Sequence, residues 1–215
     1  MKLILKSMGI SFKSGIGLLA LCLILTVNIA QAEPAPEVVI ETTVQKVLNE
    51  FVSERESLET DKRRLYKLVD ELASPLFDFH YVSKLVLAKN WKTASEQQRA
   101  DFAQEFRKLL VITYATALFQ YTGEEKMTFE GTEIKERKGV LFAKVDSQVI
   151  LGEGAPIPVE YALIQNAAKE WKIYNLTVGS LNMALNYRKV IQSSIRSSSL
   201  DDVIASMKEN NNKNY

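Results

Sequence analysis

Few residues in this chain could make or break bonds. One histidine, His80, occurs among 215 residues, and the single cysteine, Cys22, lies in an apolar leader. Covalent catalysis needs a nucleophile held next to a base, and metal binding needs paired ligands at fixed spacing; neither pattern occurs. His80, between Phe79 and Tyr81, reads as a surface or structural residue. The adjacent carboxylates Asp70-Glu71 and Asp201-Asp202 fall on helix surfaces or starts, where solvation and the helix dipole account for them. Gly152-Glu153-Gly154 joins two alternating runs rather than a strand to a helix, so it is a turn and not a phosphate loop. The residues point to no catalytic group, no metal site and no cofactor.

The first 32 residues read as an export signal. Lys2, Lys6 and Lys13 precede an apolar run from Ile16 to Ile29, and Ala30-Gln31-Ala32 supplies small residues for cleavage. The run is shorter than the ~20 residues of a spanning helix. A lipid-anchored form is disfavoured because Leu21, directly before Cys22, is not small. Without Cys22 the remaining chain has no thiol, so a hydrophobic core has to hold it together in an oxidising compartment. The chain carries 27 basic and 26 acidic residues, and the leader takes away three lysines and no acid. Near-balanced charge leaves no nucleic-acid footprint.

Residues 33–210 suit one domain, with two closely packed subdomains as the other option, and 211–215 read as a frayed polar tail. Val44, Val47, Leu48, Phe51 and Val52 have helical spacing within a segment from Val38 to Leu58. Asp61 is placed to cap a second helix that Ser74-Pro75 ends, and a third runs from Phe79 to Ala88, followed by a turn at Asn90-Trp91. Ser95 and Gln98 have the spacing of a reciprocal cap, opening a long helix to about Tyr121 whose stripe includes Phe102, Phe106, Leu110, Tyr114 and Leu118. The period then changes to two. Strands are predicted at Met127–Lys135, Val140–Leu151, Ile157–Asn166 and Trp171–Val178, with short connections that imply an antiparallel meander. Helices at Leu181–Ile195 and Leu200–Glu209 complete the chain.

The fold class is therefore α+β: a small four-stranded antiparallel sheet partly wrapped by about six helices. Alternation puts Val145 and Val149 on the inward face of the second strand, and Tyr161 and Leu163 on that of the third. Facing an apolar helix stripe, these residues read first as ordinary core.

The order of short motifs carries more. Phe79-His80-Tyr81-Val82-Ser83-Lys84-Leu85-Val86-Leu87-Ala88-Lys89-Asn90-Trp91-Lys92, the Ser95–Gln98 helix start, Pro156-Ile157-Pro158-Val159-Glu160-Tyr161, the strand from Glu170 through Trp171 to Leu176, and Asn186-Tyr187-Arg188 together resemble the MlaC family. These are periplasmic phospholipid carriers of the maintenance-of-lipid-asymmetry pathway, also called the toluene-tolerance family. Three positions depart from its pattern: Ala88 where glycine is usual, Asn175 where aspartate is, and Gly179-Ser180 where Glu-Gly is.

The resemblance implies an apolar cavity between sheet and helices, a phospholipid as cargo rather than a cofactor, and a periplasmic location. It implies as partners an inner-membrane lipid ABC transporter complex and an outer-membrane lipoprotein complex. The inward faces of the elements then give the expected cavity-lining set: Leu110, Tyr114 and Leu118 from the long helix with Val145, Val149, Tyr161 and Leu163 from the sheet. Two other classes stay open: an isomerase-like enzyme on a similar helix-and-sheet scaffold, and a lipid-free docking module. The leader predicts Glu33 as the first residue after export. Intact-mass measurement of the exported protein checks this, and a retained Met1 or an acylated Cys22 would overturn it.

Overall fold

The computed structural model describes residues 33–215, so the leader expected at 1–32 lies outside the described residues. Pro36 sits where a helix has no use for an amide proton, and it opens α1 (Pro36–Thr60), which buries Ile40, Val47, Phe51 and Leu58 along one side. The Asp61 carboxylate accepts hydrogen bonds from the amides of Arg63 (3.0 Å) and Arg64 (3.2 Å) and so caps α2 (Lys62–Leu72). A 3₁₀ turn at Ser74–Leu76 leads to α3 (Phe79–Leu87), capped by Asp78 through the Tyr81 amide at 2.8 Å.

Asn90–Thr93 forms a single helical turn, α4, where the sequence predicts a turn, bringing the α-helices to seven among the described residues. The Ser95–Gln98 box is present in both directions, at 3.1 Å and 2.9 Å, and starts α5 (Glu96–Tyr114). The helix does not run on to Tyr121: it tightens to 3₁₀ over Ala115–Gln120, whose end carbonyls at Phe119 and Tyr121 accept from the Arg55 guanidinium at 3.0 and 2.8 Å.

The sheet has five strands, not four, in consecutive antiparallel order: β1 (Lys126–Arg137), β2 (Val140–Ile150), β3 (Ile157–Gln165), β4 (Trp171–Val178) and β5 (Leu181–Asn182). Two residues are too few to show a period, which is why β5 reads from sequence as the start of a helix. Gly179, at φ +59°, turns the chain so that Val178 pairs with Leu181 and Thr177 with Asn182. Asn182 then caps α6 (Met183–Ser197) through the Leu185 amide at 3.0 Å.

The last helix, α7 (Leu200–Asn214), corrects the frayed tail expected at 211–215. Asn211 is buried, and its amide nitrogen donates to the Glu105 carbonyl (2.9 Å) and carboxylate (2.8 Å) on α5, while Tyr215 stacks on Tyr66 with centroids 6.1 Å apart. A run of asparagines looks disordered by composition, but one of them satisfies a buried acid.

Ala88 ends α3 at φ 47°, ψ −114°, backbone that glycine adopts freely and a Cβ strains. Its amide still donates to the Lys84 carbonyl at 3.1 Å, and α6 covers other carbonyls of this helix end: Arg188 donates to Leu85 (2.7 Å) and Gln192 to Leu87 (2.8 Å). The surroundings thus over-determine the strained residue. Ala88→Gly should raise stability by about 1 kcal/mol, the strain relieved exceeding the chain entropy added. Urea unfolding checks it through a higher midpoint at unchanged slope; a lower midpoint would show the backbone there to be unstrained.

Candidate functional site

Paired residues in the two inner strands share a face, so the sheet's inward side is one surface. Val145, Tyr161 and Leu163 stand on it as the sequence predicts, but α1 covers them. With Ile40, Trp171 and Ile173 they form a closed core, and Val149 packs half-buried against it. These four do not line a cavity: alternation fixes the face of a strand, not what lies against that face. Leu118 lies on the 3₁₀ segment and packs among Phe51, Leu65 and Val111, also away from the cavity.

The cavity lies instead along β4. On its side away from β3, β4 is paired only at its ends, by Phe77 at Ile173 and by β5 at Thr177 and Val178. The register between β3 and β4 slips at Ala162/Leu163, where Ile173 and Asn175 face consecutive β3 residues and Tyr174 is the extra one. Beside Tyr174, Asn175, Leu176 and Val178 opens a cavity of about 320 Å³.

Its other walls come from Val69 of α2 and Ala73 just past its end, Phe79 and Val82 of α3, Phe106, Leu110, Val111 and Tyr114 of α5, and Met183, Ala184 and Tyr187 of α6. Of the expected set, Leu110 and Tyr114 stand on this wall. The surface facing the interior is almost wholly carbon. Asn175 fits because its side-chain oxygen accepts from the Ala184 amide at 3.0 Å, tying β4 to the start of α6.

The two ends of the cavity differ. At one end the wall residues Tyr114 and Val178 are 44% and 41% exposed, so the cavity meets solvent there, and the exposed Leu181, paired with Val178, extends an apolar rim. The Tyr187 hydroxyl donates to that of Tyr114 at 3.3 Å, and Tyr114 donates to Met183 Sδ at 3.7 Å, joining α5 to α6 across the rim. At the other end Ser74 donates to Asp70 at 2.6 Å, and Asp70 pairs with Arg107 at 2.8 Å. Phe77 and Phe79, centroids 5.7 Å apart, close the wall beside Ser74.

His80 lies outside the cavity, edge-on to Trp91 at 4.7 Å, and Asp78 is used as a helix cap. Among the described residues no cluster of three or more His, Cys, Asp or Glu could hold a metal, and no helix is long and apolar enough to cross a membrane.

Sequence reading missed Tyr174, Leu176 and Val178 because the slip at Tyr174 breaks the alternation of β4, and it missed Phe77 and Met183 because they stand outside the strand, where no period applies. Fold and site thus define a helix-wrapped antiparallel meander with an internal apolar cavity open at one end. A family model described as MlaC protein matches residues 41–209, and the chain belongs to that family.

Two curated relatives are similar over most of their length. The toluene tolerance protein ttg2D of Pseudomonas putida is 25% identical over 158 residues, 73% of this chain and 71% of the relative. The intermembrane phospholipid transport system binding protein MlaC of Haemophilus influenzae is 23% identical over 187 residues, 86% of each chain. Among solved structures, the phospholipid-binding protein of Ralstonia solanacearum, in complex with a phospholipid, superposes with a TM-score of 0.71 at 19% identity, covering 84% of this chain and 98% of that one. That likeness is one of fold.

Burial, and then the hydrogen bond with Tyr114, push the Tyr187 phenol well above the usual tyrosine range. The folded state therefore keeps a proton that the unfolded chain releases above about pH 10, and stability falls as pH rises past that point. Tyr187→Phe removes this group, so the variant should lose less stability than the parent between about pH 9 and pH 11. Urea unfolding at the two pH values measures it; equal losses would place the effect elsewhere, for instance at Tyr161, which burial also raises.

Proposed function

We propose that the chain is a phospholipid carrier working in the periplasm, holding acyl tails in the cavity along β4 and leaving the head group outside its rim. The observation that carries this reading is a space walled almost wholly by carbon and open at one end through an apolar rim. Family membership and the phospholipid named for two similar proteins support it.

The energetics give such a carrier its purpose. At ~0.8 kcal/mol per methylene, moving two tails of ~16 carbons into water costs on the order of 25 kcal/mol, so unaided transfer between membranes is negligible. A carrier removes that barrier by keeping the tails covered. Leu110 and Tyr114 would touch the tails, and Val145, Val149, Tyr161, Leu163 and Leu118 would support the wall from behind. No bond is made or broken. The energy for directional transfer would come from the partners the family resemblance implies, an inner-membrane lipid ABC transporter complex and an outer-membrane lipoprotein complex.

Two arginine substitutions separate carriage from ordinary packing. Leu110→Arg puts a charge on the cavity wall, from which a long side chain has a route toward the opening; Val145→Arg puts one in the closed core under α1, where an unpaired charge has none. The first variant should melt cooperatively yet copurify without lipid, and the second should fail to fold. The readout is mass spectrometry of a denatured extract of natively purified protein. Stoichiometric phospholipid with the parent and none with Leu110→Arg is the expected result; a parent free of phospholipid would end the proposal.

A further inference from the structure

The cavity has a definite length. Its wall on α5 runs from Phe106 to Tyr114, about 12 Å at ~1.5 Å per residue. Its wall on β4 runs from Tyr174 to Val178, about 13 Å at ~3.3 Å per residue. One leaflet's share of a ~30 Å hydrocarbon core is about 15 Å, so the cavity nearly matches a single membrane-lipid tail in length.

Its inner end is closed by an unusual wall. Phe77, Phe79 and Ser74 face the cavity on one side and a polar groove on the other, where Asp70, Asp78, Arg107 and Lys172 stand. Ser74 is buried, and its hydroxyl is held by Asp70, which is itself held by Arg107.

We propose that this wall is an acyl-length stop: the Ser74–Phe77–Phe79 end sets the longest tail the cavity accepts, and the Asp70–Arg107 pair keeps it in place. The inference rests on the carrier reading and adds the feature of the lipid that would be selected. A tail growing inside the cavity gains about fourfold in affinity for each methylene that leaves water, the factor equivalent to ~0.8 kcal/mol. A methylene that passes Ser74 gains nothing further, because the next space is a polar groove where it would stay in water and would displace Ser74 and Arg107 from the largely buried Asp70 carboxylate. Affinity should therefore rise steeply with tail length and then break.

Single-tailed saturated lysophosphatidylethanolamines of about 8 to about 18 carbons, each below its micelle-forming concentration, are titrated against the purified chain. The parent should gain about fourfold per methylene up to one length and little beyond it. Phe79→Ala opens the wall and should move the break to longer tails, so that the first tail past the parent's break binds at least about fourfold tighter to the variant.

Ala73→Leu, which fills the cavity next to Ser74, should move the break to shorter tails. This opposite shift keeps the test decisive if Phe79→Ala fails to fold. A break at the same length in the parent and in both folded variants, or a parent whose affinity climbs without a break, overturns the stop while leaving carriage standing. A parent that binds none of the series overturns the carrier reading itself.

Discussion

The fold depends on how the far edge of β4 is left. A strand edge offers unpaired amides and carbonyls and ordinarily attracts another strand. Here the edge is closed at its two ends, by Phe77 against Ile173 and by β5 against Thr177 and Val178, and left without a strand partner between them. The chain leaves that edge at Phe77 into α3 and at β5 into α6, so the stretch between is roofed by helices. Roofing helices stand farther from a strand than a paired strand does, about 8–10 Å between packed axes against ~4.8 Å between strands. The cavity occupies that difference. The slip at Tyr174 lets β4 put Ile173 into the core under α1 and still turn Tyr174 and Asn175 toward α3 and α6.

What could be read from the sequence follows from what each signal measures. Period and caps report on neighbours a few residues away, so α2, α3, α5 and four of the five strands are legible, and the Ser95–Gln98 box fixes the start of α5. Leu110 and Tyr114 are legible as inward-facing residues, and they line the cavity, because a helix stripe points one way for its whole length. Val145, Val149, Tyr161 and Leu163 are legible as inward-facing but not as core beneath α1. That distinction depends on Ile40 arriving from over a hundred residues away. The docked Asn211 is the same kind of case, since its partner Glu105 lies 106 residues earlier.

The departures from the family pattern also divide on physical grounds. Asn175 keeps what an aspartate would supply at that point, a side-chain oxygen for the Ala184 amide, and gives up only the charge. Gly179-Ser180 keeps a glycine where the chain needs positive φ, moved to the first position of the turn. Ala88 alone keeps the backbone and loses the residue that suits it, and the Arg188 and Gln192 hydrogen bonds from α6 show what holds the strained end in place. Two departures therefore conserve geometry, and the third is borne by a neighbour.

The cavity itself sets the hardest energetic condition. Apolar space left unfilled in a protein costs about 24 cal/mol per Å³, so 320 Å³ corresponds to on the order of 8 kcal/mol, within the ~5–15 kcal/mol that holds a domain folded. A chain shaped only for stability would fill such a space with larger side chains at Ala73 and Ala184. This one keeps it open and ties the helices that wall it with polar clamps: Asp70 of α2 on Arg107 of α5, and Arg188 and Gln192 of α6 on the last carbonyls of α3. These bonds are directional, so they fix the spacing of the walls without occupying the space between them, whereas added apolar packing would close it. On the carrier proposal, an acyl tail entering through the rim would supply the contacts this space lacks, and the cost of the cavity would become the source of affinity.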